Sequence, residues 1–252
     1  MKIAIVTGAS SGMGRETAIQ LADHFGGLNE IWLVARRMNR LDELETQLPV
    51  PVRKFDIDLT DSQQLKRLEE ALIEVKPNVK VLVNASGYGK IGKVGSISLE
   101  EEVGMPDLNC TSLCAVTHMV LPYMSKNSRI IQYASSAAFL PQPGFAIYAA
   151  TKAFVLSYSR ALGAELRGRG ICVTAVCPGP VKTEFFDIAE TTGTVPLYKR
   201  LTMADPVKVV RLALRDSMMG KSVSVYGFLM KAFQLLCKIL PHSIILKLMG
   251  VL

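Results

Sequence analysis

The chain reads as a doubly wound, Rossmann-type α/β protein, with one parallel sheet covered by helices on both faces. Three observations carry this. Six short apolar runs recur at Lys2–Val6, Glu30–Ala35, Val52–Asp56, Val79–Asn84, Arg129–Ala134 and Ile171–Val176. Amphipathic stretches of helical period lie between most of them. The runs themselves are too continuously apolar to keep one face in water, which marks strands of a buried parallel sheet. The chain has 252 residues, 49% of them hydrophobic and 20% charged, with no repeat, low-complexity run or linker. Residues 1–252 are therefore expected to form a single domain.

Composition narrows the function classes. Cys110, Cys114, Cys172, Cys177 and Cys237 are odd in number and form no C-x-x-C pair, so reduced thiols are expected. His24, His118 and His242 stand apart, and no metal site is expected. The net charge of +7 comes without a Lys/Arg run interleaved with aromatics, so nucleic acid is not an expected partner. A phosphate-bearing cofactor or an anionic membrane surface would both suit that charge. The opening MKIAIVTG lacks a signal-peptide cleavage pattern, and a cytoplasmic location is expected.

Taken in order, the first strand runs into Gly8, Ser10, Ser11, Gly12, Met13 and Gly14 before a helical stretch. Glycines at a strand-to-helix turn allow a tight bend and close approach of backbone to a pyrophosphate, with the helix N-terminus facing it. The spacing is Gly-x-x-x-Gly-x-Gly rather than G-x-G-x-x-G. The second strand ends Val34-Ala35-Arg36-Arg37, with no acid at its tip to accept from a ribose 2′-hydroxyl. Guanidinium pairs bidentately with phosphate, so NADP(H) is preferred over NAD(H), with Arg36 the main contact and Arg37 assisting. The third strand leads to Asp58 and Leu59, where Asp58 is placed to meet an adenine amino group. Thr60 or Asp61 caps the helix that follows. The fourth strand runs into Asn84, Ala85, Ser86 and Gly87, either backbone close to a ligand or a simple loop. Asn109 lies within an apolar helical stretch and needs hydrogen-bond partners, whether as a satisfied core residue or within a proton-carrying water network.

The stretch from Ser135 to Lys152 carries the candidate chemistry. Tyr148 and Lys152 are four apart at the start of a helical run and so share a face. Ser135 and Ser136 leave the fifth strand thirteen and twelve residues earlier. Residues 184–204, containing Gly193 and Pro196, lack strong periodicity and read as a lid over the substrate. Residues 226–252 are apolar with only Lys231, Lys238 and Lys247, and Pro241 breaks the run. Two short helices are expected there rather than a spanning one. Their uses could be a dimer contact, a cover for an apolar pocket, or peripheral contact with a membrane.

Together these motifs resemble the short-chain dehydrogenase/reductase family. They are Thr7–Gly14, Asp58-Leu59, Asn84–Gly87, Asn109, Ser135, Tyr148/Lys152 and Pro178-Gly179, in the family's order. Serine at position 86, where the family usually has alanine, is a small departure. The apolar end is a larger one, since the family usually closes with a strand and a short tail. The resemblance implies NAD(P)-dependent interconversion of a carbonyl and an alcohol on a small molecule. It also implies an Asn109–Ser135–Tyr148–Lys152 tetrad, Ser135 being selected over Ser136 by the thirteen-residue separation. It implies a homo-oligomer through the Asn109 and Tyr148 helices. Pro178 and Gly179 would turn the chain over the nicotinamide, with Val181 and Thr183 on its carboxamide and phosphate.

In the expected mechanism Tyr148 is the general acid/base and Ser135 orients the substrate oxygen. Lys152 binds the nicotinamide ribose and tunes the phenol, and Asn109 helps to hold a water chain. A lysine charge about 4 Å from a phenol is worth roughly 4 kcal/mol at an effective dielectric of 20, enough to lower its pKa by up to about 3. The favoured function is NADPH-dependent reduction of a ketone or aldehyde on a fairly apolar substrate, or the reverse oxidation. A catalytically idle NADP-binding scaffold or redox sensor is the alternative, opposed by the complete tetrad. A sugar-nucleotide epimerase is disfavoured by length and glycine spacing.

Overall fold

The strands are β1 (Lys2–Thr7), β2 (Glu30–Ala35), β3 (Val52–Asp56), β4 (Asn78–Asn84), β5 (Met124–Tyr133), β6 (Cys172–Val176) and β7 (Val223–Ser224). A computed structural model, describing residues 1–190 and 203–248, joins them in one sheet in the order β3-β2-β1-β4-β5-β6-β7. Every pairing is parallel. The order reverses between β1 and β4, which makes the crevice beyond their carboxyl ends the natural ligand site.

Period-two alternation builds both cores. Ile3 and Ile5 of β1, with Trp32 and Val34 of β2, point to one face. There they meet α3 (Ser62–Val75), α5 (Ser112–Val120) and α6 (Ala146–Glu165) through Leu68, Leu72, Val116 and Leu162. Ala4, Val6, Ile31 and Leu33 point to the other face. They pack on α1 (Gly12–His24), α2 (Met38–Glu45) and α8 (Pro206–Met218) through Ala18, Leu21, Leu41, Leu44 and Ala213. Asp61 caps α3, accepting from the amides of Gln63 at 2.8 Å and Gln64 at 3.2 Å.

Two strand boundaries differ from expectation. β5 starts at Met124, not Arg129, because the polar residues Ser125, Lys126 and Asn127 conceal it. Asn127 is left-handed there (φ 67°), and the register against β4 shifts between Val79 and Val81. β7 has only two residues and no apolar run to announce it, yet it pairs with Ala175 and Val176 of β6. The family's closing strand is thus present, and the apolar helices follow it. These are α9 (Phe228–Ile239) and α10 (His242–Leu248), separated at Pro241.

α9 is apolar on opposite sides. Met230, Phe233 and Cys237 pack inward near Phe139, Leu156 and Cys177. Phe228, Leu229, Leu235, Leu236 and Ile239 remain exposed. Among the described residues, no helix is long and apolar enough to cross a membrane. Of the expected lid, Phe185–Ala189 forms a short helix, α7, and 191–202 lie outside the described residues, as do 249–252. A bridge between Val181 and Ala204 joins the chain on either side of this stretch.

Candidate active site

α6 begins two residues before Tyr148, and the i, i+4 spacing sets Tyr148 and Lys152 on its buried face, 7% and 6% exposed. The Lys152 Nζ donates to the Tyr133 carbonyl at the end of β5 (2.8 Å) and lies 5.7 Å from the centre of the Tyr148 ring. Ser135 is the second residue beyond β5 and caps the short turn Ser136–Phe139. Its Oγ accepts from the Ala137 amide (3.1 Å), and its hydroxyl faces the Tyr148 phenol closely enough to favour the ionised form. Its neighbour Ser136 instead ties its amide to the Pro178 carbonyl (2.8 Å).

The phenol does not titrate as the sequence reading expects. Burial pushes Tyr148 up to about 12, partly opposed by the Ser135 hydroxyl, and burial pushes Lys152 down to about 8. Desolvation penalises both charged forms. The amine is bonded to a backbone carbonyl rather than to the phenol, so the expected lowering of Tyr148 is absent.

Asn109 occupies a π-helical turn, Asp107–Thr111, between α4 (Leu99–Pro106) and α5. Such turns release a carbonyl from the regular ladder and concentrate at functional sites. The Asn109 Oδ1 accepts from the Tyr88 amide (3.0 Å). Its Nδ2 donates to the Tyr88 carbonyl (2.9 Å) and to Thr151 Oγ1 (3.0 Å). The side chain is therefore satisfied, and it clamps the loop after β4 onto α6. Gly87 makes that approach possible: a Cβ there would stand 2.8 Å from Asn109 Oδ1 and 3.3 Å from Lys152 Nζ.

An aromatic wall around the phenol was not anticipated. Phe145 stacks on Tyr148 at 4.3 Å, and Phe185 tilts against it at 5.3 Å. Met105 and Ala149 complete the apolar lining. Phe145, three residues before Tyr148 at a helix start, was legible by spacing. Phe185 was not, because only the fold returns the start of α7 to this point.

On the nucleotide side, Gly8 and Gly12 are left-handed, with φ of 67° and 53°. A Cβ on Gly8 would lie 2.8 Å from the Ala85 carbonyl carbon and the Ser86 nitrogen. Thr7 Oγ1 accepts from the Ala85 and Ser86 amides (3.2 and 3.4 Å), locking the two loops of the crevice together. Ser11 precedes α1 without a side-chain capping bond, and no acid lies in the first turn. The amides of that turn are thus left for an anion, as a pyrophosphate requires. Thr183 lies over Gly12, and Met13 packs against the core below.

Arg37 donates to Ser10 Oγ (3.2 Å from Nη2) and to Glu184 Oε2 (3.0 Å from Nη1). Arg36 is more exposed and pairs with Asp58 Oδ2 at 3.6 Å. Burial works to raise the Asp58 carboxyl, but the Thr60 amide and hydroxyl and Arg36 together hold it below the ordinary carboxylate value. Arg37, read as the assistant, is thus the arginine seated on the glycine-rich turn. These groups fit a dinucleotide bound along the glycine-rich turn.

Two residues expected at the cofactor also make contacts within the protein. Asn84 is buried, and its Nδ2 donates to Thr117 Oγ1 and Gln132 Oε1, both at 3.0 Å, while its Oδ1 has no partner. Leu59 packs its side chain in the core, and its carbonyl accepts from Ser112 Oγ (2.8 Å). Val181 is buried, and Gly179 faces Met230 of α9, whose sulfur would lie 2.7 Å from a Cβ.

A switch-point crevice with a glycine-rich turn, beside Ser135 and the buried Tyr148 and Lys152, is an arrangement suited to a nicotinamide-dependent oxidoreductase. The sequence model described as short chain dehydrogenase matches residues 2–192. The chain belongs to the short-chain dehydrogenase/reductase family and is an NAD(P)-dependent dehydrogenase/reductase. It is 36% identical over 232 residues to sulfoacetaldehyde reductase 2 of Chromohalobacter salexigens, covering 88% of this chain and 91% of that one. It is 33% identical over 244 residues to a very-long-chain 3-oxoacyl-CoA reductase of Ajellomyces capsulatus, covering 89% and 66%. A short-chain dehydrogenase from Sphingobium yanoikuyae, solved in complex with NADPH, superposes with a TM-score of 0.79 at 28% identity, covering 96% of each chain.

Proposed function

We propose that the protein reduces a ketone or aldehyde on a fairly apolar substrate using NADPH. The carrying observation is the buried Tyr148 phenol, facing Ser135 and walled by Phe145 and Phe185. The cofactor, when bound, supplies the hydride. Ser135 donates to and orients the carbonyl oxygen, and Tyr148 delivers the proton to it. Because Lys152 titrates near 8 and Tyr148 near 12, proton transfer from the ammonium to a spent tyrosinate runs downhill. Lys152 and Tyr148 would hold the nicotinamide ribose, the first turn of α1 the pyrophosphate, and Asp58 the adenine. Ser10, Arg36 and Arg37 would hold the 2′-phosphate, with Ala85–Gly87, Val181 and Thr183 nearer the nicotinamide. The two relatives above are named for reducing a carbonyl, which supports this direction; solved neighbours are described with NADPH and with NAD or NADH, so the NADP reading rests on the arginines.

The test is NADPH consumption across a panel of ketones, aldehydes and acyl-type carbonyls. Tyr148→Phe should lower kcat by about 10²–10⁴, the usual share of a positioned acid, while NADPH binding is retained. Turnover by that variant close to wild type would reject the assignment.

The exposed stripe of α9 supports a second element of this reading, peripheral contact with an anionic bilayer. No acidic residue follows Asp216, and Lys231, Lys238 and Lys247 accompany the stripe. An apolar face with cations and no carboxylates suits an acidic headgroup region; vesicle flotation tests it. Exposed Leu99 and Val103 on α4 and Phe154 on α6 support the dimer reading, tested by solution mass.

A further inference from the structure

We infer that Glu184 sets the cofactor selectivity of this enzyme, by competing with a 2′-phosphate for the arginines that would bind it. The inference rests on the NADP reading above. Glu184 precedes α7 and is 147 residues from Arg37 in the chain, yet its two oxygens reach two guanidinium groups. Oε2 lies 3.0 Å from Arg37 Nη1 and Oε1 lies 3.9 Å from Arg40 Nη2. Arg37 turns its other edge to Ser10 Oγ, at 3.4 Å from Nε and 3.2 Å from Nη2. One carboxylate therefore engages the cationic cluster beside the glycine-rich turn.

A carboxylate and a phosphate ask the same thing of a guanidinium, namely a pair of in-plane N–H donors. A 2′-phosphate that takes Arg37 must share it with Glu184 or displace it, and the two anions repel. A cofactor with a free 2′-hydroxyl makes no such demand and leaves the Arg37–Glu184 pair in place. Glu184 thus lowers the advantage of NADPH over NADH that the arginines would otherwise give. The next residue, Phe185, tilts against Tyr148 at 5.3 Å, so releasing Glu184 also frees the start of one aromatic wall.

The experiment measures the dissociation constants of NADPH, NADH and adenosine 2′,5′-bisphosphate by fluorescence or calorimetry, for wild type, Glu184→Gln and Arg37→Ala. Backbone hydrogen exchange across α7 is followed with and without the bisphosphate. Glu184→Gln is expected to bind NADPH and the bisphosphate about three- to fivefold tighter, the scale of an exposed ion pair, and NADH within about twofold of wild type. The bisphosphate should speed exchange across α7 in wild type and change it little in Glu184→Gln. Unchanged or weaker bisphosphate binding by Glu184→Gln overturns the inference, as does an equal gain for NADPH and NADH. Failure of the NADP reading shows separately: wild type would bind NADPH no tighter than NADH, and Arg37→Ala would weaken neither selectively.

Discussion

Tyr148 keeps its proton to about 12 and Lys152 gives its up near 8, so near neutrality the phenol is an acid and the amine is its charged neighbour. Carbonyl reduction consumes a proton at the substrate oxygen and suits this state. Its kcat/KM should be level below about pH 7.5 and fall above about 8, as Lys152 deprotonates and can no longer restore the phenol. Alcohol oxidation needs the phenolate and should rise with pH over the same range. Lys152→Met should lose the inflection near 8, and its persistence in that variant would assign it elsewhere. Stability has its own sign. The folded amine binds its proton less tightly than the unfolded one, so stability rises as pH climbs from about 8 toward 10. The spacing of Tyr148 and Lys152 was legible because helical geometry is local. Their pKa directions were not, because desolvation is set by residues such as Phe145, Phe185 and Tyr133 that surround the pair.

The glycine-rich turn after β1 was legible as an element, and its tolerance can be stated as a number. Gly8 is left-handed, and a methyl there meets the backbone of Ala85 at 2.8 Å. Gly8→Ala should destabilise the protein by more than about 1 kcal/mol through strain at positive φ, beyond any backbone-entropy gain. Denaturant unfolding checks this, and wild-type stability would show that the turn relaxes. The Asn109 helix was legible as a helix but not as a π turn, in which the Ser112 amide and hydroxyl both donate to the Asp107 carbonyl, a pairing no period announces. β7 was hidden because two residues carry no periodicity and gain their strand from the free edge of β6.

Across the whole molecule, the C-terminal helices back onto the active site through Met230 while presenting Leu235 and Ile239 outward, 58% and 68% exposed. Placing the enzyme on a bilayer would put the entrance to its apolar site near membrane-dissolved substrates. Wild type should float with phosphatidylglycerol vesicles and less with phosphatidylcholine ones. Leu235→Asp/Ile239→Asp should lose flotation while its melting temperature changes little, because those side chains face outward. Wild type staying at the bottom of the gradient with both vesicle types would reject bilayer contact.

The sequence by itself determined the fold class, six of the strands, the glycine-rich turn after the first of them and the shared helix face of Tyr148 and Lys152. Apolar periodicity, glycine spacing and helical register are properties of neighbouring residues. The tertiary structure decided which residues are withdrawn and which are offered. It buried Asn84 and the Leu59 side chain, seated Arg37 against Ser10 and Glu184, and brought Phe185 to Tyr148. Those outcomes depend on packing and desolvation between segments as far apart as Ser10 and Glu184, distances over which local sequence carries no signal.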